Sequence, residues 1–129
     1  MSERPPPLAP VWRWWAGFFA VTLFALFMTS LAYREGLPLI FEQVWNLDKV
    51  AHFGTAGLLA FFLDGALRRR ALEIGGVAIP VAAIAVLVPV GLEEFVQRYS
   101  IMRNSSLWDF IADVLGVVVL IPLSRRLGR

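Results

Sequence analysis

Cysteine is absent from the 129 residues, which removes disulfides, thiolate catalysis and cysteine-ligated zinc together and leaves the redox compartment open. Histidine occurs once, as His52, so histidine clusters are excluded. Charge is scarce, at 17% of residues, where an ordinary soluble domain is about a quarter charged. No glycine-rich nucleotide loop, haem signature or nucleic-acid motif is found. The net charge of +2 comes from arginines grouped beside apolar runs, not spread along one polar face, so nucleic acid is not an expected partner. What the chain has instead is apolar: 58% of residues are hydrophobic. There is room for one domain, and its solvent is expected to be the lipid bilayer.

Four apolar stretches follow. Trp14 to Tyr33 is uncharged and, at about 1.5 Å per helical residue, crosses roughly 30 Å of hydrocarbon. A cleaved signal peptide is the rival reading, from the small residues around Ser30-Leu31-Ala32, but the apolar core exceeds the usual ~7 to 15 residues. The second stretch lies between Lys49 and Arg68, the third runs from Ile74 to Leu92, and the fourth from about Leu107 to Leu123. Pro80 and Pro89 predict kinks in the third. Asp109 and Asp113 leave the fourth an uncharged run of eleven residues. Between the first two, Leu37, Ile40, Phe41, Val44 and Leu47 recur at helical spacing, with Trp45 suited to the headgroup region. The expected fold is therefore all-α: an integral membrane four-helix bundle over residues 14–124, with a short interfacial helix between spans one and two. Residues 1–13 form a proline-rich tail and 125–129 a basic one.

Arg4, Arg13, Arg68, Arg69, Arg70, Arg125, Arg126 and Arg129 fall on one side of this topology, and Arg34, Lys49, Arg98 and Arg103 on the other. By the positive-inside rule both termini face the cytoplasm. Nearly all the unusual polar residues then share the outer side: Asp48, Lys49 and His52 at the start of span two, Glu94 and Gln97 after span three, Arg103, and Asp109 and Asp113 opening span four. Asp64 lies at the inner end, four residues before Arg68, where an i, i+4 ion pair accounts for it.

Capping explains part of the outer set. Ser106 and Asp109 have the spacing of a capping box, Asp48 can cap span two, and Lys49 can reach the headgroups. Capping does not explain His52, or Asp113, about 10 Å inside the helix, where an ionised carboxylate costs up to ~3 kcal/mol unless paired. Arg103, Arg98 and His52 are its candidate partners. Helical geometry puts Asp109 with Asp113, Asp48 with His52, and Glu94 near Gln97. Such a cluster can do acid–base work, bind a cation or recognise phosphate; it can also simply hold helices together, for about 0.6 kcal/mol per contact. No cofactor is expected, and a metal is not, since oxygen ligands alone are unspecific.

Asp48-Lys49-Val50-Ala51-His52-Phe53 resembles the opening motif of VanZ-like membrane proteins. The spacing of Glu94, Gln97, Arg103, Asp109, Asp113 and Gly116 is similar to the later half of that family's pattern, with Asp113 standing where asparagine is common. The similarity extends over roughly residues 47 to 120, and six agreeing spacings are more specific than one short motif. It implies a four-helix protein of the bacterial cytoplasmic membrane and a cell-surface action linked to susceptibility to the glycopeptide teicoplanin, with no settled mechanism.

The leading expectation is an outer site that binds the anionic headgroup of a membrane lipid or of a lipid-linked cell-wall precursor. Arg103, Lys49 and His52 would meet the phosphate, Glu94, Asp109 and Asp113 would hold those cations, and Gln97 would add hydrogen bonds. Two alternatives stay open. One is an enzyme using His52 or Glu94 as base on a lipid phosphate, with Ser105, Ser106 and Tyr99 the nearby hydroxyls. The other is a scaffold or accessory subunit, of undetermined oligomeric state. The topology is testable directly: a periplasmic reporter fused after Glu42 is expected to be active and one after Arg70 silent, and the reverse pattern contradicts the orientation.

Overall fold

The computed structural model of the protein describes residues 10–34, 47–97, 99 and 107–127, with side chains at 10–31, 49–96, 99 and 107–127. The expected interfacial helix, the N-terminal tail, Arg103 and the side chains of Asp48 and Gln97 lie outside the described residues. The elements in chain order are α1 (Val11–Arg34), α2 (Leu47–Ala66), β1 (Ala71–Ile74), β2 (Val77–Pro80), α3 (Val81–Gln97) and α4 (Leu107–Leu127). Four helices and one small hairpin thus make up the described chain, and two segments, Val11–Leu31 and Leu107–Leu127, are long and apolar enough to cross a membrane.

The hairpin corrects the all-α expectation. The apolar run from Ile74 does not enter a helix at once: Gly75 and Gly76 take φ of 60° and 80°, the pair of left-handed conformations that a two-residue hairpin turn requires and glycine supplies at least cost. β1 and β2 then pair antiparallel from Ala71 opposite Pro80 to Ile74 opposite Val77. Pro80 does not kink a helix. It closes β2, and α3 begins at the next residue, so only Pro89 lies inside α3. Pro122 lies inside α4, which runs on through Arg125 and Arg126.

α2 is the centre of the bundle and packs against each of the other three helices. Against α1 the contact is aromatic, with Trp14 5.5 Å from Phe61 and 6.3 Å from Phe62 between ring centroids. Gly65 leaves the space that the Trp14 indole fills, and Gly17 does the same for Phe62. Against α4 the contact is closer still. A methyl group at Gly116 would collide with the Phe53 carbonyl, and one at Gly57 would stand 2.9 Å from the Gly116 carbonyl. Backbone meets backbone there because neither residue has a side chain to hold the helices apart. Gly54, by contrast, has open space beside it.

The α2–α4 contact has a regular address. His52 meets Asp113 and Asp64 meets Arg125, both at a sequence separation of 61, so the two helices run parallel and in constant register. Stepping by four residues between these pairs gives Ala56 with Val117 and Ala60 with Ile121, and all four belong to the buried core cluster. Each helix therefore presents a row with polar residues at its ends and apolar residues between, over about 18 Å of axial rise.

The lower rung corrects the local reading of Asp64. Its carboxylate, 0% exposed, accepts hydrogen bonds from Nε and a terminal nitrogen of Arg125, each at 3.3 Å, in the two-pronged geometry that suits guanidinium to carboxylate. Arg125, not Arg68, is thus the partner of Asp64 among the described residues. The end of α2 closes with Arg69 N–H donating to the Asp64 carbonyl at 2.8 Å and Arg68 N–H to that of Gly65 at 3.1 Å, a Schellman closure that requires Arg68 in the left-handed region. Its φ is 54°. Because the Arg125 side chain keeps 35% of its surface exposed, losing one partner is expected to cost about 2 kcal/mol, below the full buried-pair figure. Asp64→Ala and Arg125→Ala should each lower the thermal midpoint of the purified chain, while Arg68→Ala stays within about 0.5 kcal/mol of the wild type; an equal loss from Arg68→Ala would restore the local pairing.

Candidate functional site

The upper end of the same α2–α4 row, joined by the last turn of α3, forms the candidate site. Helical phase brings its members inward: Lys49 and His52 are three apart on α2, Asp109 and Asp113 four apart on α4, and both pairs share a helix face. His52 Nδ1 lies 3.1 Å from Asp113 Oδ1 and 3.9 Å from Glu94 Oε1. The Lys49 ammonium donates to Asp109 Oδ1 at 3.4 Å. Three helices thus contribute to one group of side chains that the sequence separates by up to 64 positions, from Lys49 to Asp113.

Burial sorts these residues. Asp113 is 2% exposed, and Asp109 and Glu94 are also buried. Lys49 is the outermost, with 34% of its side chain exposed. Of the cations considered as partners for Asp113, His52 is in contact with it, and Arg98 and Arg103 lie outside the described residues. A proton shared between an imidazole nitrogen and a carboxylate at this distance either leaves both groups neutral or makes an ion pair, and in both states the bond fixes the ring. Asp113 Oδ2 is buried and has no hydrogen-bond partner among the described residues, so one lone-pair face of this carboxylate remains available within the cluster.

Ligand atoms of His52, Glu94 and Asp109 all lie within 4.8 Å of one another. One nitrogen and two carboxylate oxygens at such spacing can share a cation or a proton, or can orient hydrogen-bond donors toward an anion. The arrangement also contains a base with its orienting carboxylate, the geometric core of general-base catalysis. Lys49, His52, Glu94, Asp109 and Asp113 are therefore brought together. Asp48, Gln97 and Arg103, also expected at the site, have side chains outside the described residues.

The sequence reading gave Asp64 no long-range role. Its signal was the repeated spacing itself: 52 and 64 differ by 12, as do 113 and 125, so any pairing that joins His52 to Asp113 along parallel helices also joins Asp64 to Arg125. Searched against protein-family models, curated proteins and solved structures, the chain matches none.

Proposed function

We propose that the chain is a four-span, VanZ-like protein of the bacterial cytoplasmic membrane that binds the anionic headgroup of a lipid or lipid-linked envelope precursor between α2, α3 and α4. The observation that carries this reading is an inverted distribution of polarity. Asp64, Glu94, Asp109 and Asp113 are buried, while Phe24, Phe27, Val88, Leu92, Val118 and Val119 are exposed. In water this arrangement wastes the hydrophobic effect and desolvates carboxylates. In lipid it is the expected solution, because intramembrane charges face the bundle interior and pair there.

The two helices that fall short of spanning by composition or length have local reasons. α2 carries Lys49, His52 and Asp64, all of which contact α4. α3 has 17 residues, about 25 Å of helix, and the hairpin ahead of it adds apolar, exposed Ile74 and Val77. Arg68, Arg69 and Arg70 sit at that end of the bundle, which by the positive-inside rule is cytoplasmic. The His52 end then faces outward, where headgroups and cell-wall precursors of the outer leaflet are found.

The headgroup reading assigns Lys49 and His52, with Arg103, as donors to phosphate, and the buried carboxylates as the groups that hold them. A link to teicoplanin susceptibility belongs to the same proposal and rests on the resemblance alone. The oriented His52 gives a hydrolytic reading its base, but Ser105 and Ser106, hydroxyls it would use, lie outside the described residues. Native mass spectrometry of the full chain with phosphatidylglycerol, against zwitterionic phosphatidylethanolamine, tests the proposal. A phosphatidylglycerol adduct reduced about tenfold by Lys49→Ala, His52→Ala or Arg103→Ala is expected, since a charge-assisted hydrogen bond is worth about 1.5–3 kcal/mol. Adducts indifferent to all three substitutions would refute it.

A further inference from the structure

We infer that the β1–β2 hairpin is an amphipathic lipid-binding element that lies in the cytoplasmic interface of the bilayer, its aliphatic face on the acyl chains and Arg68, Arg69 and Arg70 on the phosphates of anionic lipid. The inference rests on the membrane location and orientation proposed above, and not on the outer headgroup site. Three observations carry it. The first is the division of the hairpin into two faces. Side chains alternate along a strand and directly opposed residues share a face, so the register that sets Leu72 opposite Ile79 and Ile74 opposite Val77 gathers four aliphatic side chains on one side. Glu73, Ala71, Ala78 and Pro80 fall on the other. The aliphatic face is uncovered: Leu72, Ile74 and Val77 are each more than half exposed, and none of the four belongs to the buried core cluster or to the partly buried side chains packed against it. A lone two-stranded hairpin is at best marginally stable in water and needs a surface on which to bury such a face.

The second is depth. α3 has 17 residues, about 25 Å of helix, against roughly 30 Å of hydrocarbon, and it begins at Val81, directly after β2. Val81 N–H donates to the Arg70 carbonyl at 3.0 Å, which closes the base of the hairpin at the end of the bundle. The hairpin therefore starts at the hydrocarbon boundary. It does not pass into the hydrocarbon, because each strand is paired along one edge only and the backbone groups of the outer edges need water or headgroups. Lying flat, with one face on the acyl chains and both edges among the headgroups, satisfies both demands. The third is charge. Arg68, Arg69 and Arg70 immediately precede β1, and none of them pairs with a carboxylate among the described residues. A basic cluster beside an apolar face binds anionic membrane surfaces, because apolar burial and attraction to phosphate add. The same arginines argue against a second copy of the chain as the cover, since two hairpins placed face to face would bring both basic clusters together.

The absence of cysteine lets a single introduced cysteine carry the only spin label. The full chain is reconstituted in vesicles of phosphatidylcholine with phosphatidylglycerol, and collisions with oxygen, which concentrates among acyl chains, are compared with those of a water-soluble nickel chelate. Oxygen is expected to be favoured several-fold more at Leu72→Cys, Ile74→Cys and Val77→Cys than at Glu73→Cys and Ala78→Cys, in the period-two pattern of strands. Vesicles of phosphatidylcholine alone, or Arg68→Gln, Arg69→Gln and Arg70→Gln together, should reduce that difference. Equal nickel access at all of these positions overturns the inference, as does protection of the aliphatic face from both reagents, which would mean that protein covers it. A pattern indifferent both to lipid charge and to the arginines overturns it too. Val118→Cys on α4 is the control: oxygen favoured there beside a nickel-exposed hairpin refutes the hairpin's role alone, whereas nickel access at Val118→Cys contradicts the membrane location itself.

Discussion

The backbone contact between Gly57 and Gly116 sets the distance between α2 and α4, and the polar architecture depends on that distance. Aspartate and histidine have short side chains, so His52 and Asp113 meet at 3.1 Å only because the helices approach almost to carbonyl contact. A methyl group at Gly116 would strike the Phe53 carbonyl, one residue from the histidine. The steric and the chemical features of the interface are thus neighbours in sequence. Inserting a side chain into such packing costs about 1–3 kcal/mol and would separate the pair as well.

With the approach fixed, the parallel register follows from two polar rungs enclosing two apolar ones. Apolar contacts alone would tolerate a slide of one turn, because Ala and Val rows look alike after four residues. A slide would take Asp64 from Arg125 and Asp113 from His52 together, leaving buried charge uncompensated at both ends. Breaking one buried pair can cost about 3–5 kcal/mol, far more than the ~0.6 kcal/mol typical of a polar contact between membrane helices. The rungs therefore act on specificity of pairing more than on net stability. The upper rung differs from the lower in one respect: it also gathers Glu94 from α3 and Lys49 with Asp109, more groups than alignment of two helices requires. That surplus is the argument for a binding site over simple cohesion.

Much of this was legible in the sequence. Trp14 to Tyr33 read as a helix because nothing charged interrupts it, and His52 and Asp113 stood out because no cap or surface role explains them. The hairpin was hidden inside an apolar run: Ile74 to Leu92 has the composition of a span, and the weight of its valines and isoleucines outweighed Gly75-Gly76, the residues that turn the chain. The partner of Asp64 is hidden for a different reason. Local spacing offers Arg68 four residues away, whereas the true partner is decided by which helices lie side by side, information that no single window contains. The Schellman closure ends α2 at Arg68, whose φ of 54° is no longer helical, so helical i, i+4 spacing does not describe its relation to Asp64. Recognising that 52, 56, 60 and 64 match 113, 117, 121 and 125 would have supplied the long-range answer.

The single imidazole makes the central contact directly observable. Nitrogen NMR of the full chain with labelled histidine, in micelles or nanodiscs, reports one ring, and its Nδ1 resonance is predicted to show a strong hydrogen bond that Asp113→Asn removes or shifts and that Asp64→Asn leaves in place. An imidazole spectrum unchanged by Asp113→Asn would contradict the account, because the contact between α2 and α4 on which the site is built would not exist.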